Sequence, residues 1–175
     1  VWDFSVSVGR LAPSTIWITS NPFNWLEASF FYTNISNKRY CGQTLDPVCR
    51  QDYKDKGFNI KVRLKEENFF PAIAIGINDL SGTGFYSSEY IVVSKGIDNI
   101  DFHFGIGWGA LNGSDNSFNN PLGYINERFK ERPKLISSYA FEGTGSIQAG
   151  RFFSDKKVSP FFGLTYAVNE DLIFK

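Results

Sequence analysis

His103 is the only histidine of the chain, and it stands two residues after Asp101 in the stretch Ile100–Gly109, IDFHFGIGWG. On a β-strand that spacing puts both side chains on one face. An imidazole beside a carboxylate is two-thirds of a hydrolytic relay, but the relay also needs a nucleophile. No serine stands in a nucleophile-elbow context, so the expectation is that the chain is not an enzyme. Gly105, Gly107 and Ala110 satisfy G-x-G-x-x-A, but that phosphate-binding turn requires a helix to open directly behind it. Here the alternation of Phe102, Phe104, Ile106 and Trp108 runs straight through the glycines, which reads as small positions on one face of a strand. Cys41 and Cys49 lie in a polar stretch without histidine, a setting for a disulfide closing a short loop in an oxidising compartment. Such a bridge contributes roughly 2–3 kcal/mol. No metal and no cofactor are expected.

Binding chemistry is better represented than catalysis. In Phe58–Glu67, FNIKVRLKEE, the basic residues Lys61, Arg63 and Lys65 alternate with Ile60, Val62 and Leu64. Glu27, Asp101 and His103 take the same polar side of their own strands. Glu89 and Lys95 border a strand readable in either register. Lysine and arginine donate to the carboxylates and hydroxyls of a glycan, and a pore lined by them selects by charge. The same residues also read as a balanced lining in which Glu27 and Asp101 neutralise the basic strand. Phe85, Tyr86 and Tyr90 are candidates for stacking on sugars, although an interfacial aromatic belt explains them more simply.

The elements that must position these residues are strands. Aromatic residues make up 17% of the 175, with 18 Phe, and Lys plus Arg balances Asp plus Glu at 18 each. The composition favours β structure. The neutral balance offers no long-range field for nucleic acid. Period-two alternation marks Val1–Gly9, Trp25–Thr33, Phe58–Lys65, Pro71–Leu80, Tyr90–Lys95, Ile100–Gly109 and Ser159–Val168, with weaker strands at Thr15–Thr19 and Leu172–Lys175. Connections alternate in length, including a polar one from Asn34 to Asp52 and a span from Leu111 to Lys157 too long for a plain loop. That span is expected to form a long loop or an insertion folded into the interior, with Ser137–Phe153 forming a hairpin or interior segment. The expectation is a single all-β region over residues 1–175, an antiparallel meander and a piece of something longer. Two environments suit it. One is a soluble sandwich that binds carbohydrate with its aromatics turned inward; the other is a transmembrane barrel with apolar residues towards lipid and polar ones towards the lumen.

The segments WLEASFFYTNIS (25–36), YKDKGFNIKVRLKEENFFPAIAIGINDLSGTGFYSSEYIVVSK (53–95) and DFHFGIGWG (101–109) resemble, in this order, the YjbH/GfcD family of exopolysaccharide-export proteins. Gly150–Phe153 and Ser159–Gly163 look like a later part of the same region. The resemblance implies an outer-membrane β-barrel of a Gram-negative bacterium, with short periplasmic turns and long extracellular loops. It also implies partners in membrane lipid, a capsule or other polysaccharide and further export proteins, and it brings no catalytic residue. A hydrolase using His103 is the remaining alternative.

Overall fold

The computed structural model describes residues 2–7, 14–40, 51–82, 84, 86–113, 117–133, 147–168 and 173–174. Regular structure among them is almost wholly strand: β1 (Trp2–Ser7), β2 (Ser14–Phe23), β3 (Leu26–Tyr40), β4 (Gln51–Lys65), β5 (Ala72–Asn78), β6 (Ser88–Ile97), β7 (Ile100–Gly109), β8 (Phe118–Asn119), β9 (Lys157–Ala167) and β10 (Ile173–Phe174). The order in the sheet is β1-β2-β3-β4-β5-β6-β7-β9-β10, with β8 on β9. Each pairing whose register is described is antiparallel. The fold is thus the all-β antiparallel meander that the alternation predicts. No pairing among the described residues joins β1 to β10. No helix there is long and apolar enough to cross a membrane.

The chain divides into two compact units: residues 1–60, 78–87 and 134–149, and residues 61–77, 88–133 and 150–175. In the first, β2 pairs with β3 so that Trp17 faces Phe31 and Thr15 faces Thr33, whose hydroxyls lie 2.9 Å apart. Ile16, Ile18, Phe30 and Phe58 are exposed, and the last two rings meet at 5.4 Å. On the alternate positions Thr33, Ile35, Tyr53 and Asp55 are buried. The polar stretch expected to be a connection from Asn34 to Asp52 is instead strand at both ends, leaving only residues 41–50 between β3 and β4. Asn34 Nδ2 donates to Asp52 Oδ2 at 3.3 Å, so these polar side chains pair across the ladder where sequence polarity reads as loop. Gly82 is required by close approach: any Cβ there would overlap the Lys56 carbonyl.

In the second unit β6 and β7 pair in unbroken register from Ser88↔Gly109 to Ile97↔Ile100. A two-residue turn joins them, and Asp98 adopts φ 52°, the left-handed conformation that tight hairpins need. β7 then pairs with β9, Phe104 opposite Phe162 and Phe102 opposite Leu164. These large side chains are exposed: Phe102 is 36% exposed, Phe104 54%, Phe162 65%, Leu164 41% and Tyr166 40%. Gly105 and Gly107, on the other side of β7, are buried.

Between β7 and β9 the described residues fold into β8 and short 3-10 turns at Pro121–Tyr124, Glu127–Lys130 and Ala149–Arg151. The hairpin or interior segment expected over Ser137–Phe153 lies largely outside the described residues, and its last part is the third of these turns. Cys41, Cys49 and the disulfide expected between them, and Phe85, also lie outside the described residues.

Candidate functional site

The registers of β6, β7 and β9 decide which side chains share a face. Ser94 stands opposite His103 and Asp101 opposite Thr165, so one face of this sheet carries Asp101, His103, Ser94 and Thr165. Half-buried His103 uses Nδ1 with Ser94 Oγ at 2.8 Å and Nε2 with Thr165 Oγ1 at 3.3 Å. Its two nitrogens are therefore engaged by hydroxyls from both neighbouring strands. Asp101 is exposed and makes no hydrogen bond to the ring, so the Asp101–His103 relay does not form.

Around this polar centre the face is lined by glycine and aromatic rings. A Cβ on Gly76 would overlap the Tyr90 ring, and one on Gly105 would overlap Phe161 and come within 2.7 Å of the Ile91 carbonyl oxygen. Tyr90 and Phe161 meet edge to face at 6.2 Å. The glycines thus hold two rings flat against the sheet, which explains why the alternation runs through them. Tyr90, expected among the loop aromatics, sits inside β6 in this cluster, whereas Tyr86 is 44% exposed beyond the strand.

Lys61, Arg63 and Lys65 share the face of β4 opposite Phe58 and Leu64, which are 50% and 60% exposed. Arg63 pairs with Glu66 at 2.8 Å, and the Lys65 ammonium lies 4.4 Å from the Phe70 ring centre. Lys61 has no ion-pair partner among the described residues. None of the three pairs with Asp101, and half-buried Glu27 belongs to the first unit. Of the balance expected from Glu27 and Asp101, the Asp101 part is not made by an ion pair to the basic strand among the described residues.

The ambiguous strand is settled as well. Lys95 stands opposite Phe102 and Glu89 opposite Trp108, so both belong to the apolar face. Lys95 bridges to Glu67 at 3.1 Å and donates to the Asn68 carbonyl at 2.7 Å, while Gly96 N–H donates to Glu67 at 3.1 Å. The Lys95 hydrogen bond first, then that of Gly96, holds the Glu67 carboxyl below its ordinary range. Glu89 is fully buried beside fully buried Trp108. Arg132 grips it with two nitrogens at 2.7 and 2.9 Å, and Phe153 N–H adds a third bond at 3.0 Å. Phe153 holds φ 57°, uncommon for a bulky residue, with its ring edge-on to Trp108 at 5.3 Å. This clasp ties the excursion between β7 and β9 onto the sheet. Arg132 lies 43 residues from Glu89 in a polar stretch, with no local sequence signal. Ser94 and Thr165 become visible only once strand register is known.

The comparisons with known proteins now bear on this sheet. The YjbH family profile, described as "Exopolysaccharide biosynthesis protein YbjH", matches residues 3–175. The chain belongs to the YjbH family. A YjbH relative from Escherichia coli (strain K12), named "Uncharacterized lipoprotein YjbH", is 35% identical over 137 residues, covering 73% of this chain and 19% of its own length. The chain therefore spans about a fifth of that YjbH protein. No solved structure matches it.

Proposed function

We propose that this YjbH-family chain is a segment of an outer-membrane β-barrel that serves exopolysaccharide export without catalysing a reaction. The observation that carries the reading is the inverted burial of β7 and β9, where Phe102, Phe104, Phe162, Leu164 and Tyr166 are exposed while the opposite face carries glycine, serine, threonine and histidine. A soluble sandwich would bury the aromatic side. Contiguous apolar patches on soluble monomers are limited to a few hundred Å². A bilayer is the solvent that suits such a face. The connections fit: β2 to β3 and β6 to β7 turn over two residues each, and the longer connections 41–50, 79–87 and 110–156 leave from the opposite end. In this reading the short turns are periplasmic and the long connections extracellular, with Lys61, Arg63, Lys65 and His103 towards the lumen. The relative's name as a lipoprotein fits a cell-envelope location.

The non-catalytic part rests on His103, whose nitrogens meet hydroxyls and no carboxylate. The test is the full-length parent extracted from outer membranes in mild detergent. Unheated protein should migrate differently from a boiled sample, and secretion should survive His103→Ala. Lys61→Glu with Arg63→Glu should cut polymer export while the heat shift persists. Release by salt or high pH without any shift would overturn the barrel, and loss of secretion in a folded His103→Ala variant would overturn the non-enzymatic reading.

A further inference from the structure

The excursion between β7 and β9 holds a groove of about 710 Å³ lined by Asn119, Tyr124, Lys130, Glu131, Asp155 and Lys156 among others. Its volume falls in the range of small-ligand sites, roughly 300–1,000 Å³. The base of the groove is built before any ligand arrives. Asn120, 3% exposed, shares the two hydrogens of Nδ2 among the carbonyls of Phe129, Phe153 and Asp155 at 2.8, 3.0 and 3.0 Å, and its Oδ1 accepts from Leu122 N–H at 3.1 Å. One side chain thereby joins the 118–130 segment to the 153–155 segment, and the Arg132–Glu89 clasp fixes both to the sheet. A rim held this way loses little conformational freedom on binding.

The chemistry of the rim selects the ligand class. Tyr124 is 81% exposed, a rigid ring with one polar end. Lys130, Lys156 and the Asn119 amide donate, while Glu131, Asp155 and the Asn119 carbonyl accept. Lys130 is already paired with Glu127, so the two carboxylates of the lining are not outweighed by free cations. A polyphosphate would be repelled by Glu131 and Asp155, and an apolar ligand would strip water from all of these groups unrepaid. Sugar hydroxyls donate and accept at once, and the flat face of a pyranose suits an aromatic ring. We infer that this groove is a subsite for a hydroxyl-rich glycan segment, with Tyr124 as its stacking platform. The inference rests on the export reading only for the source of the sugar.

The test uses the full-length parent in detergent and oligosaccharides made by partial acid hydrolysis of the exopolysaccharide that the host strain secretes. Saturation-transfer NMR should show sugar ring protons in contact with the protein. Tyr124→Ala should weaken binding about tenfold, on the order expected when an aromatic anchor is truncated, Tyr124→Phe should retain it, and Lys156→Ala should weaken it, all with an unchanged heat shift. Binding indifferent to Tyr124→Ala, binding confined to phosphate-bearing lipopolysaccharide fragments, or no binding at all would each overturn the groove. A parent that binds through Tyr124 but shows no shift on boiling would sink the barrel reading and leave the groove standing, whereas a shift without binding would do the reverse.

Discussion

Single side chains in this protein are constrained most tightly where charge or ring volume is buried. Arg132 is the only cation hydrogen-bonded to the fully buried Glu89 carboxylate among the described residues. Removing one partner of a buried pair costs roughly 3–5 kcal/mol, because the other is left without compensation. Arg132→Ala should therefore release the excursion, read as faster proteolysis within residues 117–156, and Glu89→Gln should do so less because the Arg132 guanidinium it leaves without a counter-charge is partly exposed and keeps its bonds to the Arg151 and Ser154 carbonyls. Equal, negligible effects would show that the clasp does not hold the excursion. Gly105→Ala is the complementary case. Its Cβ would press on the Ile91 carbonyl, which cannot swing away as a side chain can, and overpacking of this kind costs about 1–3 kcal/mol. The expected readout is a lower temperature for loss of the unheated gel band.

The turn between β4 and β5 and the strand faces carry the element-scale predictions. Glu67 has its carboxyl lowered from 4.5 by Lys95 and the Gly96 amide. A depressed carboxylate contributes stability that is full above its unfolded value and is lost as pH falls through the lower folded value. The docking of this turn on β6 should thus hold at neutral pH and weaken only below about 4.5. Carboxyl NMR should place the Glu67 midpoint below 4.5 and return it towards that value in Lys95→Ala. A wild-type midpoint at or above the ordinary value would contradict the bridge. On the strands, Phe104→Arg should cost roughly 2–4 kcal/mol if that side meets lipid at mid-depth. Thr165→Arg, on the other face, should insert almost normally. Equal tolerance of both in an outer-membrane insertion assay would remove the asymmetry on which the proposed function rests.

The whole molecule is a meander whose two ends carry connections of different length. Much of that was legible in the residues: the alternation in Ile100–Gly109 marks β7 within a residue, and the family resemblance read from residues 25–109 agrees with the profile match over 3–175. Two polar stretches differ from what their composition suggests. Asn34–Tyr40 and Gln51–Gly57 belong to β3 and β4, and Asn34 and Asp52 pair their side chains, a long-range satisfaction that local polarity does not encode.

The sequence by itself determined the strongly alternating strands, the two faces of those strands and the family, because a period of two is a local property written into every residue pair. Only the tertiary structure decided that His103 meets Ser94 and Thr165 and not Asp101, that Glu89 belongs with Arg132, and that Tyr90 and Phe161 lie on glycines. Each of these depends on the register between strands or on contacts across tens of residues. A one-residue slip would exchange the two faces, so no composition or spacing along one strand could have specified them.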